Sequence, residues 1–347
     1  MSLPKTTQEY HLPQRGLENL SVRESLVHSP KFQEVLVKVH AVSLNYRDLA
    51  IVTGEYPGQM GDIVPCSDLA GEVIAVGEDV TTWKIGDRVS ANFSVNHVYG
   101  DPTNESVTSA LGGGGGTMDG TLTQFKILPA HSLVHIPSHL SYEEAATLPC
   151  AGVTAWNALL GPVPLKGGDY VLVLGTGGVS VFALQFAVAM GATVIATSSS
   201  NAKLEFVKKL GAHHTINYKD TPDWDKEVLR ITGGRGVDHV IEVGGTGTLP
   251  KSIRSTRKAG CIHNIGFLSK EPSDTSRLLA SFLFGAIIYR SVLVGSRQQF
   301  EEMSRLIEAR QIKPVVSQVF GFKQAREAYE YLQSQKHIGK IVITLFD

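Results

Sequence analysis

Apolar and polar residues alternate from Gln33 to Val42, which predicts a strand with one buried face. Leu69–Val76 and Asp87–Ala91 repeat the pattern, punctuated by Gly77, Gly86 and Asp87. A polar stretch from Gly100 runs into consecutive glycines, Gly112–Gly116, and predicts a surface loop before a further strand in GTLTQFKILPA (residues 120–130). This part of the chain reads as an antiparallel, β-rich domain.

From about Tyr142 the period changes. Tyr170–Leu174 (YVLVL) is continuously apolar, as in a strand buried on both faces of a parallel sheet. Gly178–Met190 then carries Val179, Phe182, Ala183, Phe186 and Met190 on one helical stripe. Strand Thr193–Thr197, helix Asn201–Leu210 closed by Gly211, and strands at His214–Asn217, Val237–Val243 and Cys261–Phe267 continue the alternation. Repeated βαβ units predict a doubly wound parallel sheet, giving an α/β chain.

The sharpest chemistry is Gly175-Thr176-Gly177-Gly178-Val179-Ser180, placed between an apolar strand and an amphipathic helix. Such a turn brings backbone amides and the positive end of a helix to a diphosphate. Thr176, Gly177, Gly178 and Val179 are the candidate contacts, and Ser180 stands where the usual fingerprint has its third glycine. The next strand ends in Ser198, Ser199 and Ser200 with no carboxylate, and Lys203 follows. Hydroxyls and an ammonium accept a 2′-phosphate that a carboxylate would repel, so NADP(H) is expected over NAD(H). Tyr218 is a further candidate contact to that phosphate. The plainer alternative is that Ser199 or Ser200 caps a helix and Lys203 is a solvated surface residue.

Length and composition narrow the rest. The chain of 347 residues is long enough for roughly two domains. A net charge of −1 gives no basic field for a nucleic acid. Three cysteines are too few for a disulfide framework or a four-cysteine zinc site. The amino-terminal stretch lacks an apolar secretory core, and no apolar run reaches membrane-spanning length. A cytosolic protein with no membrane association is therefore expected.

Several segments together carry a resemblance: NYRD (45–48), DLAGEV (68–73), WKIGDRV (83–89), AATLPCAGVTAWNAL (145–159), GTGGVS, INY (216–218), GRGVDHVIEVGG, VGSR (294–297) and GKIVI (339–343). In this order and spacing the chain is similar to the medium-chain dehydrogenase/reductase superfamily, near its quinone oxidoreductase and "zinc-type alcohol dehydrogenase-like" branch. The resemblance implies a GroES-like β-rich catalytic domain (1–130 and 300–347) and a Rossmann domain (131–299) inserted in it. It implies that Thr154 lies beside the nicotinamide, that Gly266, Phe267 and Leu268 form a loop over the cofactor's reactive end, and that Gly244 and Gly245 border the adenosine side. It also implies a homodimer, through a strand at Tyr289–Gly295.

Zinc alcohol dehydrogenases of this superfamily hold the metal with Cys, His and a further Cys or carboxylate. This chain has Asn45 near the first ligand position and Cys66-Ser67-Asp68 where a Gly-His-Glu would stand. No bound metal is expected, although Cys66, Asp68 and His97 remain a nominal ligand set. Cys150 is expected to be a buried small hydrophobe. Without a Lewis acid, hydride transfer is easiest onto an activated acceptor such as a quinone or an α,β-unsaturated carbonyl. Asn45, Tyr56 and, less directly, Tyr46 are the candidate catalytic donors to its oxygen. The alternatives are a zinc-assisted alcohol or aldehyde dehydrogenase and a non-catalytic NADPH-binding protein.

Overall fold

The computed structural model describes residues 3–57, 61–113, 118–269 and 275–346, with side chains from 278 onward in its last segment. The chain divides into two compact units, 1–153 with 294–347, and 154–293. The division falls after Val153 rather than after 130, because Ala145, Ala146, Leu148 and Ala151 are buried and the Cys150 amide bonds Asp68 of the first unit.

In the first unit, β1 (Thr6–His11) and β2 (Ser21–Leu26) form an antiparallel hairpin. The main sheet uses β3 (Glu34–Leu44), β4 (Asp68–Val76), β5 (Arg88–Ala91), β6 (Phe125–Pro129) and β7 (Leu133–His135). Two late strands, β14 (Val316–Gly321) and β15 (Lys340–Thr344), complete it in the order β14-β15-β3-β4-β5-β7, with β6 also on β3. Val35, Val37, Val39 and Val42 on β3 meet Leu69 and Val73 on β4 and Ile341 and Ile343 on β15 in one core. β14 and β15 run parallel, joined by the helix Ala325–Gln333, which buries Ala325, Ala328, Tyr329 and Leu332 at i, i+3, i+4 and i+7. Antiparallel pairing then sets Ile341 opposite Leu44, bringing the start of β15 to the end of β3.

The expected loop from Gly100 differs from the structure, which forms a short helix at Asn104–Thr108. Thr103 caps it, its hydroxyl accepting the Ser106 amide at 3.2 Å while the Ser106 hydroxyl accepts the Thr103 amide at 2.7 Å. Of the glycine run, Gly114–Gly116 lie outside the described residues.

The second unit is a six-stranded parallel sheet built from β8 (Tyr170–Leu174), β9 (Thr193–Ser198), β10 (His214–Asn217), β11 (Val237–Glu242), β12 (Thr256–Asn264) and β13 (Ile288–Ser291). Its order is β10-β9-β8-β11-β12-β13, a doubly wound sheet whose direction of progression reverses between β8 and β11. β12 starts five residues earlier than its apolar run, since Ala259, at a φ of 56°, and Gly260 lie inside the strand and break its alternation. Two buried histidines face each other on adjacent strands. His239 Nδ1 is 3.1 Å from His263 Nε2, and the rings stack with planes 8° apart.

Candidate functional site

In the first unit, Asn45 follows β3 and caps the helix Tyr46–Thr53. Its backbone amide donates to Asp48 Oδ2 at 2.8 Å, yet its side chain makes no bond to the first-turn amides. An asparagine at this position usually spends its side chain on the helix. Here the Asn45 Oδ1 instead accepts from Lys340 Nζ, and its Nδ2 reaches Ser67 Oγ at 3.4 Å. Lys340 also donates to the Leu44 carbonyl at 2.6 Å and lies 3.8 Å from Asp68 Oδ2. The Ser67 hydroxyl donates to Asp68 Oδ1 at 2.8 Å.

Both carboxylates here are buried. Burial pushes Asp48 up to about 6, with Arg47 opposing and Asp68 reinforcing the rise. Burial likewise raises Asp68, against the pull of Lys340. Arg47 spans the surroundings: its guanidinium donates to the carbonyls of Leu111, at 2.9 Å, and Gly113, and lies over the rings of Phe93 and Tyr56 at 4.7 and 5.6 Å. Tyr56 thus joins the neighbourhood of Asn45 through Arg47. Tyr46 is half-buried against the β-rich core.

These residues do not fit a zinc ion. Amide and hydroxyl oxygens replace the thiolate and imidazole that zinc favours, and the Lys340 ammonium already lies against Asn45 and Asp68. Burial pushes the Cys150 thiol far from ionising. The nominal set of Cys66, Asp68 and His97 is turned to separate partners: the Cys66 thiol meets Tyr329 Oη at 3.2 Å, and His97 Nε2 meets the Gly100 carbonyl at 3.0 Å. Among the described residues no three His, Cys, Asp or Glu side chains form a metal cluster.

In the second unit the candidate nucleotide contacts gather at the carboxyl ends of the parallel strands, where open α/β sheets bind ligands. Gly175 leaves β8 with a φ of +72°, a conformation suited to glycine. Gly177 caps the helix Gly178–Ala189 and, having no side chain, leaves its first-turn amides without a side-chain cap. A Cβ added at Gly175 or Gly177 would meet nothing within 4 Å, so backbone and space are both open to a diphosphate. Thr176 and Val179 flank this mouth. Ser180 is buried and donates to the Leu174 carbonyl at 2.7 Å, tying helix to strand where the usual fingerprint relies on a glycine.

Ser198 ends β9, and Asn217 of β10 lies opposite it, so Ser198–Ser200 and Tyr218 share one corner. The Tyr218 amide donates to the Ser198 carbonyl at 3.1 Å. Ser200 caps the helix Asn201–Lys209 without a side-chain bond to it, which removes the capping explanation for its hydroxyl. Lys203 is half-buried, and desolvation lowers its pKa. Beyond β11 and β12, Gly244, Gly245 and Gly266–Leu268 interlock: a Cβ on Gly266 would strike the Val243 carbonyl at 2.4 Å, and Phe267 and Leu268 stay exposed. Thr154 is buried in the first turn of the helix Val153–Leu160.

Three features escaped the sequence reading. Lys340 was visible only as a letter within GKIVI, and Ser67 only as the residue in place of a histidine ligand, since only the fold brings β15 beside β3 and Ser67 to the Asn45 amide. Glu242 is fully buried at the end of β11. Its Oε1 accepts the Gly244 and Gly245 amides at 2.8 and 3.1 Å and the Thr248 hydroxyl at 2.6 Å, which fixes the loop after β11.

Comparison with known proteins gives this geometry a family. The alcohol dehydrogenase GroES-like domain matches residues 31–138, and the zinc-binding dehydrogenase family matches residues 178–309. A zinc-type alcohol dehydrogenase-like protein of Schizosaccharomyces pombe is 54% identical over 318 residues, covering 90% of this chain and 91% of the relative. The human quinone oxidoreductase is 27% identical over 337 residues, covering 95% of each. A crystal structure described as an alcohol dehydrogenase from Sinorhizobium meliloti superposes with a TM-score of 0.90 at 36% identity, covering 99% of this chain and 100% of the other. The chain belongs to the medium-chain dehydrogenase/reductase superfamily of oxidoreductases, whose members bind a nicotinamide cofactor.

Proposed function

We propose that this protein is a zinc-independent, NADPH-dependent reductase of a quinone or an α,β-unsaturated carbonyl. The observation that carries the reading is the Asn45 amide, withdrawn from its helix and held between Lys340 and Ser67 in place of a metal-ligating side chain. Bound NADPH supplies a hydride. As the acceptor is reduced, negative charge gathers on its oxygen, and the Asn45 Nδ2 group is the donor that meets it. Tyr56, steadied by Arg47, is the second donor, and Tyr46, half-buried against the β-rich core, is the third candidate.

Selectivity for the 2′-phosphate rests on Ser198–Ser200, Lys203 and Tyr218 at one corner, with no carboxylate between Thr197 and Lys203. Thr176–Val179 hold the diphosphate, while Thr154, Gly244 and Gly266–Leu268 enclose the rest of the nucleotide. A homodimer fits the same reading. β13 is an edge strand, and Leu283 (75% exposed), Phe284 (78% exposed), Ile288, Tyr289 and Leu293 leave apolar surface beside it. Three free cysteines suit a reducing cytosol, and no described helix is long and apolar enough to cross a membrane.

NADPH oxidation measured against quinones, enones and aldehydes, with and without a chelator, tests the assignment. Chelator-resistant turnover of the first two classes is expected. Chelator-sensitive reduction of aldehydes with stoichiometric zinc would establish the metal-assisted alternative, and tight NADPH binding with no turnover would establish the non-catalytic one.

A further inference from the structure

We propose that Lys340 is a positioning residue that fixes the rotamer and donor strength of the Asn45 amide. An asparagine side chain can present either its oxygen or its nitrogen to a ligand, and the two choices differ by a half-turn. Lys340 removes the choice. Its ammonium has only donors, and it is pinned by the Leu44 carbonyl at 2.6 Å, so the atom it meets on Asn45 must be the oxygen. The nitrogen then faces the other way, where Ser67 Oγ takes one proton at 3.4 Å.

Ser67 is held as an acceptor for that proton because its own hydrogen goes to Asp68 at 2.8 Å. Asp68 in turn lies 3.8 Å from Lys340, closing a ring of four side chains, all buried. The Asn45 amide also hydrogen-bonds toward Asp68 and lowers its carboxyl, so an acceptor oxygen would meet the Nδ2 group in competition with Ser67 and Asp68. A cation on Oδ1 draws electron density from the amide nitrogen and strengthens it as a donor. Lys340 thus acts on the acceptor through Asn45 without touching it. This rests on the reading of Asn45 as the donor to a reduced quinone or enone.

The test is a double-mutant cycle on the full chain, with NADPH and 1,4-benzoquinone or but-3-en-2-one as acceptors. Lys340→Met keeps the stem and removes the charge. We expect kcat to fall about 10- to 100-fold with KM for NADPH unchanged. Asn45→Ala should fall at least as far, and the double variant should match Asn45→Ala alone. Lys340→Arg keeps a cation on Oδ1 and should stay within about tenfold of the wild type. It also serves if the Met variant does not fold, as judged by thermal melting.

Full activity in Asn45→Ala would overturn the donor assignment and this inference with it. A slow Asn45→Ala beside an unimpaired Lys340→Met, or additive losses in the double variant, would overturn the role of Lys340 alone. A folded Lys340→Arg as slow as Lys340→Met would do the same.

Discussion

Acid should weaken the second unit through one identifiable pair of side chains. His263 is 1% exposed on β12, and burial together with the facing His239 and with Arg290 depresses its pKa to about 3 from an ordinary 6.5. The geometry accounts for this. The two facing nitrogens, 3.1 Å apart, share one proton, and a second proton would set two buried cations against each other. On its far side His263 Nδ1 meets the Cys261 thiol at 3.8 Å, which offers no charge to compensate. His239 has Asp169, 3.6 Å from its Nε2, and Asp238 to support a proton, opposed by Arg257 and by burial, and the balance also lowers it.

The unfolded chain therefore binds more protons than the folded one between the two pKa values of His263. Its contribution to stability is complete above pH 6.5 and lost as pH falls toward 3. Linkage puts the loss at about 2 kcal/mol by pH 5. Urea unfolding of the wild type and of His263→Gln at pH 8 and pH 5 measures it. The intrinsic cost of the substitution is common to both pH values, so the change in the gap between the proteins isolates the titration. The gap should shift in favour of the variant by that amount at pH 5. Parallel losses in the two proteins would refute the argument.

Lys203→Glu should weaken NADPH binding by about 100-fold and NADH binding only slightly, since a carboxylate would then face the 2′-phosphate; equal losses for both nucleotides, read by fluorescence titration, would dismiss the phosphate contact. Gly177→Ala adds a methyl that meets nothing within 4 Å at a φ of −76°, so the melting temperature should hold while nucleotide affinity falls at least about tenfold; unchanged affinity would mean that no diphosphate lies there. Tyr56→Phe should lower turnover about 10-fold with nucleotide affinity intact, measured by stopped-flow, and unchanged turnover would leave Arg47 and Tyr56 a purely structural contact. Tyr289→Lys should shift the sedimentation coefficient from dimer to monomer, whereas a wild type already monomeric would remove the assembly through β13.

The second unit was the easier to read. Tyr170–Leu174 matches its predicted span because a strand buried on both faces leaves a continuous apolar run. His214–Asn217 matches too, although it is an edge strand in which only Ile216 is buried. The candidate nucleotide mouth was legible for a related reason: the proposed contacts lie on local turns that follow strands. The Asn45 neighbourhood was legible only in part. Asn45 stood out by its motif, but its acceptor-side partner comes from 295 positions away, and no local pattern marks a lysine that will be buried. The helix at Asn104–Thr108 was missed because its polar run carries no apolar stripe, and its caps are hydroxyls that also occur in loops.

The way β15 slots beside β3 also sets an order of assembly. Residues 154–293 form a contiguous unit, complete in sequence before the ribosome reaches β15. β3, by contrast, waits for a partner whose lysine is 296 positions downstream of the carbonyl it grips. Contacts so distant in sequence form slowly, whereas βαβ units close over short stretches. A refolding chain should therefore regain nucleotide capture first and turnover later, passing through a species that sequesters a nicotinamide nucleotide without spending it.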